Sequence, residues 1–264
     1  MKLGFIGTGN MAGAILAGIC QTKAVLPQDI YAFDIDGEKT KKLKQSFGIQ
    51  IADSAEDLIA ACDAVLLGLK PQHAQEALSG VSACLTQDKT LISIVTGLSI
   101  GRMKALSSGC KIVRVMPNTP ALCGKGVFVI AENSDEQMGA WVRGLLMKLG
   151  TVLQLPEELF PAATAITGSG PAYVFMFLEG MTKAAVGMGI PEESAKIMAC
   201  QTLAGASVLA ENSQETLLKL RQNVCSPGGT TIEGVKVMEE AQAVDMIQKT
   251  FQAAYQRALE LEVK

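Results

Sequence analysis

Cys225-Ser226-Pro227-Gly228-Gly229-Thr230-Thr231 places three hydroxyls and two adjacent glycines just ahead of a long apolar-periodic segment. For stability alone this is a poor way to begin a helix. Ser226 and Pro227 are good starters, but each glycine costs about 1 kcal/mol against alanine if it is helical. What Gly228 and Gly229 offer is bare backbone N–H groups that a small anion can approach, with Ser226, Thr230 and Thr231 hydroxyls around them. In physical terms that is a carboxylate pocket. On the residues alone, a plain helix start accounts for the segment equally well.

Gly7-Thr8-Gly9-Asn10-Met11-Ala12 directly follows a first apolar run, Leu3–Ile6, and opens a helical pattern. The first glycine permits a tight turn, the second lets the backbone approach a pyrophosphate, and the third position stays small for helix–strand packing. The anion then sits at the positive end of the helix. An acid, Asp34, stands at the end of the second predicted strand, which completes the fingerprint for a dinucleotide. Ile6, Gly7, Thr8, Gly9, Asn10, Met11 and Asp34 are therefore the expected cofactor residues. A carboxylate at Asp34 accepts ribose hydroxyls and repels a 2′-phosphate, which favours NADH over NADPH. The counter-reading is that Lys39, Lys41 or Lys42 neutralises a phosphate. Leu69-Lys70-Pro71-Gln72 and Met116-Pro117-Asn118-Thr119-Pro120 leave two further strands as proline-stiffened loops, at the edge where open α/β sheets bind ligands.

Other chemistries are poorly supplied. The chain has one histidine, His73, read as a surface or capping residue, and this removes most metal-site and Ser-His-Asp schemes. Seven scattered cysteines without a Cys-x-x-Cys pair argue for reduced thiols in the cytosol and against a zinc site. Net charge is −3 with no basic block, so nothing attracts nucleic acid. The apolar start is interrupted by Gly7 to Asn10 and lacks a cleavage site, and no window resembles a membrane span, so a soluble, cytoplasmic protein is expected.

The elements that must position these residues fall into two sets. Short runs at Leu3–Ile6, Ile30–Phe33, Ile49–Ala52, Ala64–Leu69, Thr90–Val95 and Lys111–Val115 read as strands, with helical segments between them. Val127–Ile130, a helix near 135–148 and Val152–Leu155 complete the pattern. That is a doubly wound, Rossmann-like α/β sheet. After Pro156 only helices are predicted, starting near Phe160, Gly170-Pro171, Pro191, Ser213 and Gly229. The expected domains are 1–157 for the dinucleotide and 158–264 for an all-α unit. Within the latter, Ala172–Leu178 is apolar all round, and Val237, Ala241, Val244, Ile247, Phe251, Ala254 and Ala258 recur along one last helix. Both surfaces point to a second copy of the chain, with a self-contained bundle as the alternative.

Taken together, these stretches resemble the pyrroline-5-carboxylate reductase family, which reduces a cyclic imino acid to proline. The likeness runs from end to end: Gly7–Ala12, Lys70-Pro71-Gln72, Val113–Pro120, Gly168-Ser169-Gly170-Pro171-Ala172-Tyr173 and Ser226–Thr231. It implies a Rossmann-like domain followed by a helical dimerisation domain, homodimers often built into larger rings, and NADH or NADPH as cofactor. It implies further that Ser226, Gly228, Gly229 and Thr230 bind the substrate carboxylate and that the Thr231 hydroxyl faces the ring nitrogen as the catalytic group. Asn223, Leu69, Lys70, Pro71, Gln72 and Asn118 would line the cofactor side, with Asn223 also reaching substrate. Relatives often carry Asn-Arg or Ser where this chain has Asp34-Ile35, and Asn near Ala55, so the phosphate preference is where it departs from the pattern.

The implied reaction is hydride transfer from nicotinamide C4 to C5 of 1-pyrroline-5-carboxylate. A protonated imine is already electrophilic, so alignment matters more than a strong acid. Tyr173 is a second possible proton donor, although its neighbours suit packing better. A hydroxy-acid dehydrogenase on the same plan needs a positioned Lys or His, and the Gly170 helix has no lysine before Lys183. A nucleotide-binding scaffold without turnover is the non-enzymatic rival.

Overall fold

Leu3–Ile6 (β1) is buried at every position, which is what a strand covered by helices on both faces requires. A computed structural model describes residues 1–262. In it β1 pairs in parallel with β2 (Ile30–Phe33) on one side and β4 (Ala64–Leu67) on the other. The sheet extends through β3 (Gln50–Ile51) at one edge, and through β5 (Thr90–Ser93), β6 (Lys111–Met116), β7 (Gly126–Ala131) and β8 (Gly150–Leu155) at the other. The order β3-β2-β1-β4-β5-β6-β7-β8 reverses direction at β1, the topological switch point of a doubly wound sheet.

Strand alternation builds two cores. Leu3, Phe5, Leu66, Ile92 and Val113 face α1 (Asn10–Gln21) and α6 (Glu136–Leu146), where Ile15, Leu16, Val142 and Leu145 meet them. Ile6, Val65, Leu67, Leu91 and Ile112 face the opposite layer, α3 (Ala55–Ala61), α4 (Pro71–Gly80) and α5 (Ile100–Ala105). The helix α2 (Gly37–Phe47) starts on an Asp36 side chain that accepts from Glu38 N–H and ends at left-handed Gly48. Ser54, Ser99 and Asp135 cap α3, α5 and α6 in the same way.

Several expected boundaries shift. The fourth strand stops at Leu67 rather than Leu69, with Gly68 N–H to Ile6 O as the last rung of its ladder. The helical segment that the sequence predicts over Gln72–Cys84 runs from Pro71 and ends at Gly80, and Ser82–Cys84 becomes a separate 3-10 turn. β7 runs antiparallel to β6, since only the 3-10 turn Thr119–Cys123 joins them and a parallel neighbour needs a long crossover.

After β8 every element is helical: α7 (Phe160–Ala163), a π-helical stretch Thr164–Ser169, α8 (Gly170–Gly187), α9 (Glu192–Asn212), α10 (Leu217–Val224), α11 (Thr230–Glu240) and α12 (Ala243–Glu262). The single last helix expected from Val237 to Ala258 is two helices. Gln242 adopts φ 51 between them, without the Gly or Pro that would mark a break in the sequence.

The chain forms two compact units, Met1–Ser169 with residues from Ala254 onward, and Gly170–Ala253. Within the second unit only Gly170, Ala195 and Ala199 are buried. Phe175 and Met176 on α8 are 64% and 71% exposed, and Ile197, Leu209, Val237 and Ile247 are exposed as well. So much open apolar surface marks an association face.

Candidate active site

The turn after β1 is held by the neighbouring strand exits. Gly7 N–H donates to Phe33 O at 2.8 Å and Gly68 N–H to Ile6 O at 2.9 Å. Gly7 sits at φ 83, and a Cβ there would lie 2.9 Å from Gly68 O. Ala12 packs where a Cβ on Gly68 would come within 2.4 Å of its own, so the third motif position has no room to grow. Gly9, by contrast, has open space where its Cβ would stand and precedes α1 with no side-chain cap. The first N–H groups of α1 therefore keep their affinity for an anion. Ile6 is buried in the core, Thr8 is buried, Met11 is half-buried and Asn10 is exposed beside the helix start.

Asp34 lies against this turn. Its Oδ2 accepts from both Thr8 N–H (2.7 Å) and Thr8 Oγ1 (3.0 Å), and its Oδ1 accepts from Asp36 N–H (2.9 Å) with Lys39 Nζ at 3.5 Å. The side chain is 8% exposed. Desolvation works to raise its pKa, but the Thr8 and Asp36 hydrogen bonds and the Lys39 charge outweigh it and hold the carboxyl below its ordinary value. Lys41 pairs with Glu38 instead, so of the lysines read in the sequence as phosphate partners, Lys39 is the one that reaches the acid.

The second strand exit carries half-buried Leu69, then exposed Lys70 as the cap residue of α4 and Pro71 and Gln72 in its first turn. His73 is exposed in that same turn. Asn118 is buried and its Oδ1 accepts from Val127 N–H at 2.8 Å, so it also braces the start of β7.

In the helical unit, α10 ends at Val224 with exposed Asn223 in its last turn. Gly229 N–H closes a turn on Ser226 O at 3.0 Å, and Gly228 takes φ 70, which a side chain resists. Gly229 is thus the cap residue, as the sequence places it, and α11 begins at Thr230 with no side-chain cap. Exposed Thr230 and Thr231 occupy its first turn beside exposed Ser226. A Cβ on Gly229 would lie 2.4 Å from Ser226 Oγ, so this hydroxyl sits directly against the bare backbone. Tyr173 packs edge-on to Phe251 at 5.2 Å, which accounts for its ring by packing.

One charged group escaped the sequence reading. Arg114 looks like an anomaly inside an apolar strand, and its carboxylate partners, Glu157 and Glu262, lie far along the chain, where no local spacing reveals them. Among the described residues no three His, Cys, Asp or Glu side chains converge as a metal site, and no helix is long and apolar enough to cross a membrane.

Comparison with known proteins agrees with this layout. Residues 157–261 match the profile described as pyrroline-5-carboxylate reductase dimerisation, and residues 2–97 match one described as NADP oxidoreductase, coenzyme F420-dependent. The chain is 38% identical to the pyrroline-5-carboxylate reductase of Haemophilus influenzae, covering 98% of this chain and 97% of that protein. It is 36% identical to that of Escherichia coli K12, covering 90% of each. The crystal structure of Plasmodium falciparum pyrroline carboxylate reductase with NADP bound superposes with a TM-score of 0.91 at 30% identity, covering 99% of this chain and 98% of that one. The chain belongs to the pyrroline-5-carboxylate reductase family of NAD(P)-dependent oxidoreductases.

Proposed function

We propose that the two loop systems divide the family's reaction, the reduction of 1-pyrroline-5-carboxylate to L-proline, between residues 1–157 and residues 158–264. That division assigns labour rather than compactness. Ile6 to Met11 hold the pyrophosphate of the dinucleotide, Asp34 meets its adenosine ribose, and Leu69, Lys70, Pro71, Gln72 and Asn118 line its nicotinamide side. Ser226, Gly228, Gly229 and Thr230 grip the substrate carboxylate, with Asn223 alongside. Reduced nicotinamide, when bound, supplies a hydride. The two electrons enter at C5, the C=N π pair moves to nitrogen, and nitrogen keeps one proton, giving a secondary amine.

The Thr231 hydroxyl orients and stabilises that N–H. No strong acid is needed, because the protonated imine is the electrophile. The observation that carries the reading is the uncapped start of α11 behind left-handed Gly228. A helix end built this way is suited to a small carboxylate.

Asp34 is ionised and close to where a 2′-phosphate would sit, so NADH is the favoured cofactor, with the Lys39 charge moderating the preference. A homodimer through the C-terminal helices covers the open face of α8, rings of dimers are its higher assembly, and the protein works in the cytoplasm. The deciding assay follows oxidation of NADH and NADPH in parallel with pyrroline-5-carboxylate. Proline formation with a higher kcat/KM for NADH supports the reading. Absence of turnover with both cofactors sinks it.

A further inference from the structure

Arg114 is the most deeply buried charge of the first unit, 3% exposed, and the hydride-transfer scheme makes no use of it. Its guanidinium stacks 4.6 Å from the centre of the Phe160 ring and forks to two carboxylates. Nη1 donates to Glu157 Oε1 at 2.8 Å and Nη2 to Glu262 Oε1. Glu157 is itself pinned, by Ile100 N–H at 2.7 Å and Asn133 Nδ2 at 2.7 Å. Burial acts to raise the Glu157 pKa. Hydrogen bonds from Asn133, Ile100 and Arg114, with the arginine charge, overcome that and hold it low.

Glu262 is the last described residue of α12. A carboxylate there opposes the helix macrodipole, whose C-terminal end is negative and prefers a cation. The last turn carries no basic residue of its own, and Arg114 supplies the missing positive charge. A planar fork satisfies both carboxylates in one fixed orientation, as an ammonium would not.

Leu261, one residue earlier, is what this grip positions. Gly97 takes φ 77, and a Cβ there would lie 2.6 Å from Leu261 O, so the loop after β5 lies directly against the backbone of α12. Beside that contact is a cavity of about 310 Å³ at the C-terminal ends of β4 and β5. Pro71, Gln72, Thr96, Gly97, Leu98 and Leu261 are among its walls. Its volume falls at the lower end of the range for small-molecule sites.

We propose that Arg114 is a positioning residue: by gripping Glu262 it seats Leu261 against Thr96-Gly97, and the end of α12 thereby forms one wall of the cavity that receives the dinucleotide beside Pro71-Gln72. This rests on the role proposed above for the Lys70-Pro71-Gln72 loop. The end of α12 is then part of the cofactor site.

The test uses full-length protein and measures NADH affinity by fluorescence, kcat and KM for both reactants, and the melting midpoint. Leu261→Ala and Glu262→Gln raise the NADH dissociation constant and KM roughly tenfold, within the ~100-fold a displaced positioning element costs. KM for the imino acid stays within about twofold because the carboxylate nest is untouched. Arg114→Lys, which keeps the charge without the fork, falls between these variants and wild type. Unmoved NADH affinity in both Leu261→Ala and Glu262→Gln, with only a lowered melting midpoint, makes the cluster purely structural and overturns the proposal. Wild-type protein that neither binds nor oxidises NADH or NADPH sinks the reading of the cofactor loop itself. Wild-type turnover with indifferent variants sinks this proposal alone.

Discussion

Thr8 grips Asp34 twice, with its backbone N–H at 2.7 Å and its hydroxyl at 3.0 Å on the same carboxylate oxygen. The glycine-rich turn and the acid at the end of β2 are therefore one rigid unit. With Asp36 N–H on the other oxygen, three hydrogen bonds occupy a carboxylate that offers about four acceptor sites, and Lys39 Nζ stands beside it at 3.5 Å. On the role proposed for Asp34, the remaining acceptor site is the one a ribose hydroxyl would take, and Lys39, the loosest contact at 3.5 Å, is the group beside it.

Cofactor choice should follow that arrangement. Asp34→Ser removes the acid beside the 2′ position and shifts the ratio of kcat/KM values toward NADPH. Lys39→Gln shifts it the other way, by removing the cation that offsets the acid. Parallel steady-state kinetics with both cofactors checks the pair. An unchanged ratio in Asp34→Ser refutes the acid's part in selection.

Thr231→Ala should lower turnover while NADH affinity stays near wild type, because the hydroxyl is assigned to the imine nitrogen and not to the dinucleotide. Equal loss of NADH binding would show the residue to be misplaced. Gly228→Ala makes a companion. Its Cβ meets open space, so the penalty is the backbone strain of φ 70, about 1–2 kcal/mol, without a clash. KM for the imino acid rises as the nest deforms, and titration with NADH reads as wild type.

Acid sensitivity should be traceable to Glu157. Its folded pKa is depressed below the ordinary glutamate value of 4.5. A depressed carboxyl contributes stability that is whole above the unfolded value and drains as pH falls through the folded one. The melting midpoint of Glu157→Gln therefore lies below wild type at neutral pH, and the gap narrows as pH drops under 4.5. A gap that stays constant into acid would show that ionisation of Glu157 contributes nothing.

Association through the helical unit can be tested at its most open residues. Phe175→Asp and Met176→Lys place charge where the protomer exposes 64% and 71% of the apolar residue. An isolated protomer tolerates such changes, whereas a dry interface does not. Light scattering should report loss of the oligomer and a lowered melting midpoint. A wild-type mass in both variants would remove α8 from the interface.

The residues by themselves determined the alternating strands and helices, the glycine turn with its acid, and the run of helices after β8. Each of these is written locally, in period-2 and helical apolar patterns, in caps such as Asp36 and Ser54, and in glycines standing where a side chain has no room. The roles proposed for Ser226 to Thr231 rest on glycine and hydroxyl chemistry, which is itself local, and the uncapped helix start at Gly229 lies where the sequence puts it.

Tertiary structure alone decided the rest. The break at Gln242 carries no local breaker, and the antiparallel turn into β7 depends on how little chain separates two strands. The return of residues from Ala254 to the first unit, sealed by Arg114 with Glu157 and Glu262, joins groups distant in sequence. A buried charge needs partners but does not say where along the chain they lie, and only the folded path brings them within reach.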